Sequence, residues 1–174
     1  MRGVTTETPP GALPERTKPL VLISTVASDA HTWNLVFLQL LVEELGHPVV
    51  NLGPCVPEEL LAQACREHRP DLLVMSSVNG HGFRDGLSAI RHLRAQPDLD
   101  PFPAAIGGKL STSDSDDPER VRELVEAGFD AVFMDGSAAV STFRRFLASV
   151  ERPTGVHPPQ HRQWTVPLSG KAAP

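Results

Sequence analysis

The sequence predicts a doubly wound α/β fold, a parallel sheet of five strands with helices on both faces. Two observations carry this. Apolar, β-branched runs of strand length recur at Leu20–Thr25, Val49–Leu52, Leu72–Ser76, Ala104–Ile106 and Ala131–Phe133, and a helical apolar period follows each one. Helix-opening prolines and acidic residues, and helix-closing glycines, fall between the runs where such an alternation needs them.

Each helix has its own signature. Leu35, Leu38, Leu41, Val42 and Leu45 form one apolar stripe, and Gly46 ends that helix as its C′ residue. Pro57 in a first turn, with Glu58 and Glu59 near the positive helix end, opens the second through Leu60, Leu61 and Ala64. Leu87, Ile90 and Leu93 mark the third. Pro118 and Glu119 open the fourth, which runs through Val121, Leu124 and Val125 and stops at Gly128. Val140, Phe143, Phe146 and Leu147 mark the last, and no internal repeat beyond this alternation is present. Five βα units in about 130 residues favour the flavodoxin-like (Rossmann-like) strand order 2-1-3-4-5, in which strands 1 and 3 flank the switch point.

The chain of 174 residues is expected to hold one domain over residues 19–150, between two proline-rich tails. Residues 1–18 and 151–174 lack any apolar period and read as disordered and flexible, unable to bury enough surface to offset ordering. His157 and His161 are spaced to share a helical face, but Pro158 and Pro159 between them argue against a helix and so against a metal site. The net charge of −5, with no basic run, speaks against nucleic acid as a partner. No stretch approaches the ~20 apolar residues that span a bilayer, and the N-terminus has no secretory h-region. Cys55 and Cys65 are too few for a disulfide framework, so the cytoplasm is the expected compartment.

In the 2-1-3-4-5 order, the loops after strands 1, 3 and 4 open side by side at the carboxyl end of the sheet, where such folds bind ligands. These loops carry Ser28-Asp29-Ala30-His31-Thr32-Trp33-Asn34, then Ser76-Ser77-Val78-Asn79-Gly80-His81-Gly82, then Gly107-Gly108-Lys109. The loops after strands 2 and 5, with Gly53-Pro54 and Asp135-Gly136-Ser137, are plainer turns. A large ligand lying over strands 1, 3 and 4 is the expectation. Gly107-Gly108 at a strand end would leave a slot without side chains. Asp29 and His31 suit a pair in which the carboxylate accepts one ring N–H and leaves the other nitrogen free for a metal. Taken alone, an Asp-x-His triplet is more often solvated loop. A transition metal held by Asp29, His31 and His81 is the plainer metal reading.

Other users of such a sheet lack their marks here. A response-regulator receiver would close strand 3 with a phosphoacceptor Asp, whereas this strand closes with Met75-Ser76-Ser77. A flavodoxin would need a phosphate loop after strand 1 and aromatic rings about the flavin, yet tyrosine is absent. There is no Gly-x-Gly-x-x-Gly, no P-loop and no Gly-x-Ser-x-Gly elbow. What residues 19–150 do resemble is the cobalamin-binding domain of the B12-dependent mutases and methyltransferases. Its fingerprint is Asp-x-His-x-x-Gly, Ser-x-Leu and Gly-Gly, here Asp29-Ala30-His31-Thr32-Trp33-Asn34, Ser76-Ser77-Val78 and Gly107-Gly108. Within that family the chain is most similar to the small subunit of glutamate mutase (methylaspartate mutase), whose third strand also ends in Ser-Ser before a Gly-x-Gly turn, here Gly80-His81-Gly82.

Two positions depart from the fingerprint. Val78 replaces Leu, and Asn34 replaces the glycine. If that glycine serves a positive φ, Asn is its least costly substitute. If it serves close approach, Asn34 must re-route or hydrogen-bond the cofactor tail.

The resemblance implies adenosylcobalamin bound with its dimethylbenzimidazole base detached and threaded into the domain as a tail. His31 would be the lower axial cobalt ligand, oriented by Asp29. Ser76 would meet the base, and Gly107 and Gly108 would line the channel, with Asn34, Val78 and Gly80 beside them. Trp33 is open between packing on the tail and covering the first helix. Lys109 is open between a cofactor phosphate and solvent. The implied reaction is a glutamate mutase-like radical rearrangement of L-glutamate to 3-methylaspartate. It uses no catalytic residue of this chain and needs a separate large, barrel-type subunit that holds the small amino-acid substrate. A stand-alone corrinoid carrier or cobalamin sensor is the alternative.

Overall fold

In a computed structural model of the chain, residues 18–112, 118–134, 136 and 138–150 are described. The two tails, apart from Lys18, lie outside the described residues, as do His157, His161, Asp135 and Ser137. The elements alternate as β1 (Val21–Thr25), α1 (Trp33–Glu44), β2 (Val49–Asn51), α2 (Glu58–His68), β3 (Leu72–Ser77), α3 (Gly82–Arg94), β4 (Ala104–Gly108), α4 (Pro118–Ala127), β5 (Ala131–Met134) and α5 (Ala139–Ser149). The strands form one parallel sheet in the expected order 2-1-3-4-5.

The period of two along each strand splits the core into two layers. Leu22, Leu73, Met75, Ala104, Ile106 and Val132 face α2, α3 and α4, where Leu61, Cys65, Leu87, Ile90, Leu93 and Leu124 close over them. Val21, Ile23, Leu72, Val74, Ala105, Ala131 and Phe133 face α1 and α5, meeting Leu35, Leu41, Val42, Phe143, Phe146 and Leu147. Fully burying each such Leu, Ile or Phe stabilises the fold by about 1.5–3 kcal/mol. Burial also pushes the Cys65 thiol up to about 12, against the lowering influence of Arg94 and Arg66, which leaves it an inert core residue.

Helix boundaries follow the expected punctuation. Gly46 adopts φ +83° just past α1 and its N–H donates to Glu43 O at 2.8 Å. Pro57 is the N-cap of α2 rather than part of its first turn, and Pro57 O receives the Leu61 N–H at 2.9 Å. Gly128, at φ +128°, ends α4.

Three helices cover one face of the sheet and two the other. On the two-helix face α1 packs on β1 and β2, whereas α5 packs on β5. The carboxyl halves of β3 and β4 lie between them. That interval positions the site.

Candidate functional site

Asp29 is fully buried and is the hub of the β1–α1 loop. Its Oδ1 accepts the His31 backbone N–H at 3.0 Å and lies 2.7 Å from His31 Nδ1. Its Oδ2 accepts the Val78 backbone N–H at 2.6 Å, which ties the loop to the end of β3. Burial alone would raise the carboxyl, but the backbone N–H groups of His31 and Val78, with the side chains of His31 and Ser77, outweigh it and hold the carboxyl below the ordinary aspartate range. An ionised carboxylate only accepts, so Nδ1 carries the hydrogen on that edge, which in a neutral ring leaves the lone pair on Nε2. The His31 side chain is 50% exposed, so the ring is fixed at its Nδ1 edge and still open to solvent.

The loop is clamped from two more sides. Asp29 O accepts the Thr25 hydroxyl at 3.0 Å and the Cys55 N–H at 2.9 Å, so the β2–α2 loop holds it from behind. Asn79 Nδ2 donates to Ser28 O and Ser28 Oγ at 3.0 Å each, while its Oδ1 accepts the Ser77 hydroxyl and the His81 N–H. Asn79 and Cys55 were not legible as site residues, because their roles rest on contacts to sequence-distant backbone. His81 is exposed, and neither it nor any other group of three or more His, Cys, Asp or Glu among the described residues is arranged to hold a metal ion. The plainer transition-metal reading therefore finds no ligand cluster there.

Beside this hub a cleft of about 410 Å³ opens between α1 and α5. Its polar floor holds Asn34, Ser76, Gly107 and Gly108, and Val78 and Lys109 stand at its rim. Its walls are apolar, with Trp33 and Phe37 from α1 facing Val140 and Phe143 from α5. Phe133 lies below, edge-on to Phe143 at 5.5 Å between ring centres. The cleft thus lies over β3, β4 and β5 rather than over strands 1, 3 and 4, because α1 covers β1.

Asn34 is helical, in the first turn of α1, and has no positive φ; Cys55 and Arg69 are the non-glycine residues with one among those described. The backbone explanation for Asn at this position therefore falls, and close approach remains. Asn34 Nδ2 donates to Ser76 Oγ at 2.8 Å within the buried floor. Asn34 Oδ1 is buried without a hydrogen-bond partner, the one such side-chain atom among the described residues.

The two β4 glycines are demanded by the sheet as well as by any slot. Gly108 has φ +103°, and a Cβ there would stand 2.3 Å from Ser77 O. A Cβ on Gly107 would meet Phe133 O at 2.9 Å. Gly80 is not among the cleft-lining residues. Its N–H donates to Lys109 O at 3.2 Å, fastening the β3–α3 turn to the chain after β4.

A family model described as the B12 binding domain matches residues 19–144. The chain belongs to the B12 binding domain family. The glutamate mutase sigma subunit of Halobacterium salinarum is 31% identical to it over 117 residues, which cover 67% of this chain and 77% of the relative. The sigma subunit of Fusobacterium nucleatum is 28% identical over 125 residues, covering 72% and 91%. A crystal structure of a cobalamin-binding protein from Desulfitobacterium hafniense shares the fold, with a TM-score of 0.59 at 18% identity over 75% of this chain. The chain spans 60% of that structure.

In this B12 binding domain, α1 is apolar on its outer side too. Trp33, Val36, Phe37 and Leu40 are exposed at helical spacing, with Trp33 at 64% and Leu40 at 62%. Trp33 and Phe37 are accounted for by the cleft mouth. No helix among the described residues is long and apolar enough to cross a membrane.

Proposed function

We propose that this chain is the cobalamin-binding small subunit of an adenosylcobalamin-dependent carbon-skeleton mutase of the glutamate mutase type. It would act in the cytoplasm with a separate large, barrel-type catalytic subunit, converting L-glutamate to 3-methylaspartate. The observation that carries the reading is the buried Asp29 carboxylate, which fixes the His31 ring through Nδ1 at 2.7 Å and the Val78 N–H at 2.6 Å beside the cleft.

The residues present fit a corrinoid whose base is detached. The apolar walls from α1 and α5 suit a flat ring system, Ser76 offers a hydroxyl on the floor, and Asn34 Oδ1 is a buried acceptor still in need of a donor. His31 Nε2 would be the lower cobalt ligand. Asp29 would raise its basicity and keep the ring from rotating away. Gly107 and Gly108 would line the tail channel, and Val78 its rim. Gly80 would act indirectly by holding the turn that carries Val78. Bound adenosylcobalamin supplies the radical chemistry, and this chain supplies orientation and one wall of the enclosure.

Titration of the purified chain with adenosylcobalamin tests the reading. The expected result is the absorption and cobalt(II) EPR signature of base-off, histidine-on binding. His31→Ala should lose it, and His31→Gly with added imidazole should regain it. An unchanged signature in His31→Ala would overturn the axial assignment.

A further inference from the structure

The floor of the cleft holds a hydrogen-bonding pair with an unmet demand. Asn34 is 96% buried by its 4% exposure, and one of its two Nδ2 hydrogens is given to Ser76 Oγ at 2.8 Å. Ser76 Oγ accepts that bond, so its own hydrogen points to a further acceptor. Asn34 Oδ1 has no partner and asks for a donor. Together the two side chains present two donors, the Ser76 hydroxyl and the second Asn34 N–H, and one acceptor, Asn34 Oδ1, to whatever enters the floor. Exchanging the amide oxygen and nitrogen leaves that count the same: Ser76 would then donate to Oδ1 and accept from the ligand, and both Nδ2 hydrogens would be free donors.

Dimethylbenzimidazole meets only part of this demand. Detached from cobalt, its ring nitrogen accepts a hydrogen bond, but the base has no N–H to give. An aminopurine has both, an exocyclic amine that donates beside a ring nitrogen, N1, that accepts. A site whose buried polar groups need partners rejects the analogue that lacks them.

We propose that Asn34, with Ser76, is the specificity-determining element for the lower base, selecting a corrinoid whose nucleotide carries an aminopurine over one that carries dimethylbenzimidazole. This rests on the corrinoid-binding reading above and refines it. It also gives Asn34 a role that a fingerprint glycine, without a side chain, could not fill.

The test is absorbance titration of the full chain with three probes, adeninylcobamide, cobalamin and cobinamide, the last of which has no nucleotide. The chain should bind adeninylcobamide about 10-fold or more tighter than cobalamin, the effect of one buried group left unpaired. Asn34→Gly should bring the ratio close to one, chiefly through weaker binding of adeninylcobamide, and Ser76→Ala should reduce it. Cobinamide affinity should be the same in the chain and in Asn34→Gly, which a merely structural role for Asn34 would not allow. Equal affinity of the unaltered chain for the two cobamides, or a preference for cobalamin, overturns the proposal. Equality would assign Asn34 to the ribose hydroxyl that both tails share. That comparison needs no variant, so a folding failure at position 34 does not blunt it. If none of the three probes binds, the proposed function fails and this selectivity with it. Equal binding of the two cobamides sinks the selectivity alone.

Discussion

The Val78 N–H donates to Asp29 Oδ2 at 2.6 Å across 49 residues of sequence, so one buried carboxylate joins the loop after β1 to the end of β3. The same carboxylate fixes His31 through its other oxygen. Positioning of the candidate ligand and closure of the sheet's carboxyl end are thus one structural event. A substitution at Asp29 disturbs both.

Asp29→Asn should lower stability by about 1–3 kcal/mol, because an amide keeps one acceptor and turns a donor toward an existing donor. It should also flatten the acid limb. The folded carboxyl lies below its unfolded value, so its contribution is present above about pH 4 and is lost as pH falls through the folded value. Melting temperatures at pH 3 and pH 6 check this. The unaltered chain should lose more on acidification than Asp29→Asn does, and equal losses would contradict it. Cobalamin affinity in the variant should fall about 10–100-fold.

Gly108→Ala should be a folding lesion before it is a binding one. Positive φ costs a side chain about 1–2 kcal/mol, and the clash with Ser77 O adds to that. The urea midpoint should drop further for Gly108→Ala than for Gly107→Ala, which keeps an ordinary φ. A stable Gly108→Ala that has lost only cobalamin binding would show that the slot, not the sheet, requires the glycine.

The topology was readable because each strand and helix announces itself locally, and the 2-1-3-4-5 order then brings the β1 and β3 loops together without further information. Asp29 and His31 were readable for the same reason, being neighbours in one loop. The cleft was not. Phe133, Val140 and Phe143 look like ordinary core positions of a last βα unit, and only the spacing of α1 and α5 on the sheet turns them into a floor and a wall. Asn34 could be read two ways from sequence, since a residue three positions past a histidine can end a loop or start a helix. Its helical backbone and its bond to Ser76 are tertiary facts. In sequence, Gly107 and Gly108 imply an open slot, whereas the register Ser76 to Gly107 and Ser77 to Gly108 shows neighbouring strands taking up much of that room.

Residues 28–36 should gain amide protection when cobalamin binds. Asn34 Oδ1 has no partner, Trp33 and Phe37 are exposed over the cleft, and no side chain caps the N-terminus of α1. Local opening at the start of α1, beyond the clamped turn of residues 28–31, costs little until a ligand fills the floor. Hydrogen exchange followed by mass spectrometry, with and without cobalamin, should show slowing in this segment and none in α3. Identical rates in both states would exclude coupled ordering.

The isolated chain should be catalytically silent. A radical chemistry open to water and oxygen would be quenched, so the upper face of a bound corrinoid must be sealed, and the described residues furnish a floor and two walls but no cover. Mutase activity should therefore appear only when a barrel-type large subunit from the same organism is added. The contact would run along the rim formed by residues 29–34, 79–84 and 107–111. Arg84 and Lys109 are exposed on that rim, and Arg84→Glu or Lys109→Glu should weaken assembly. Lys109 also lines the cleft, so its variant is judged by cobalamin affinity as well, whereas Arg84→Glu should leave that affinity and the melting temperature unchanged. The measurement is mutase rate against large-subunit concentration. The half-saturating concentration should rise in Arg84→Glu while the saturated rate is kept. Turnover by the chain alone, at a rate indifferent to any added subunit, would sink the two-subunit reading.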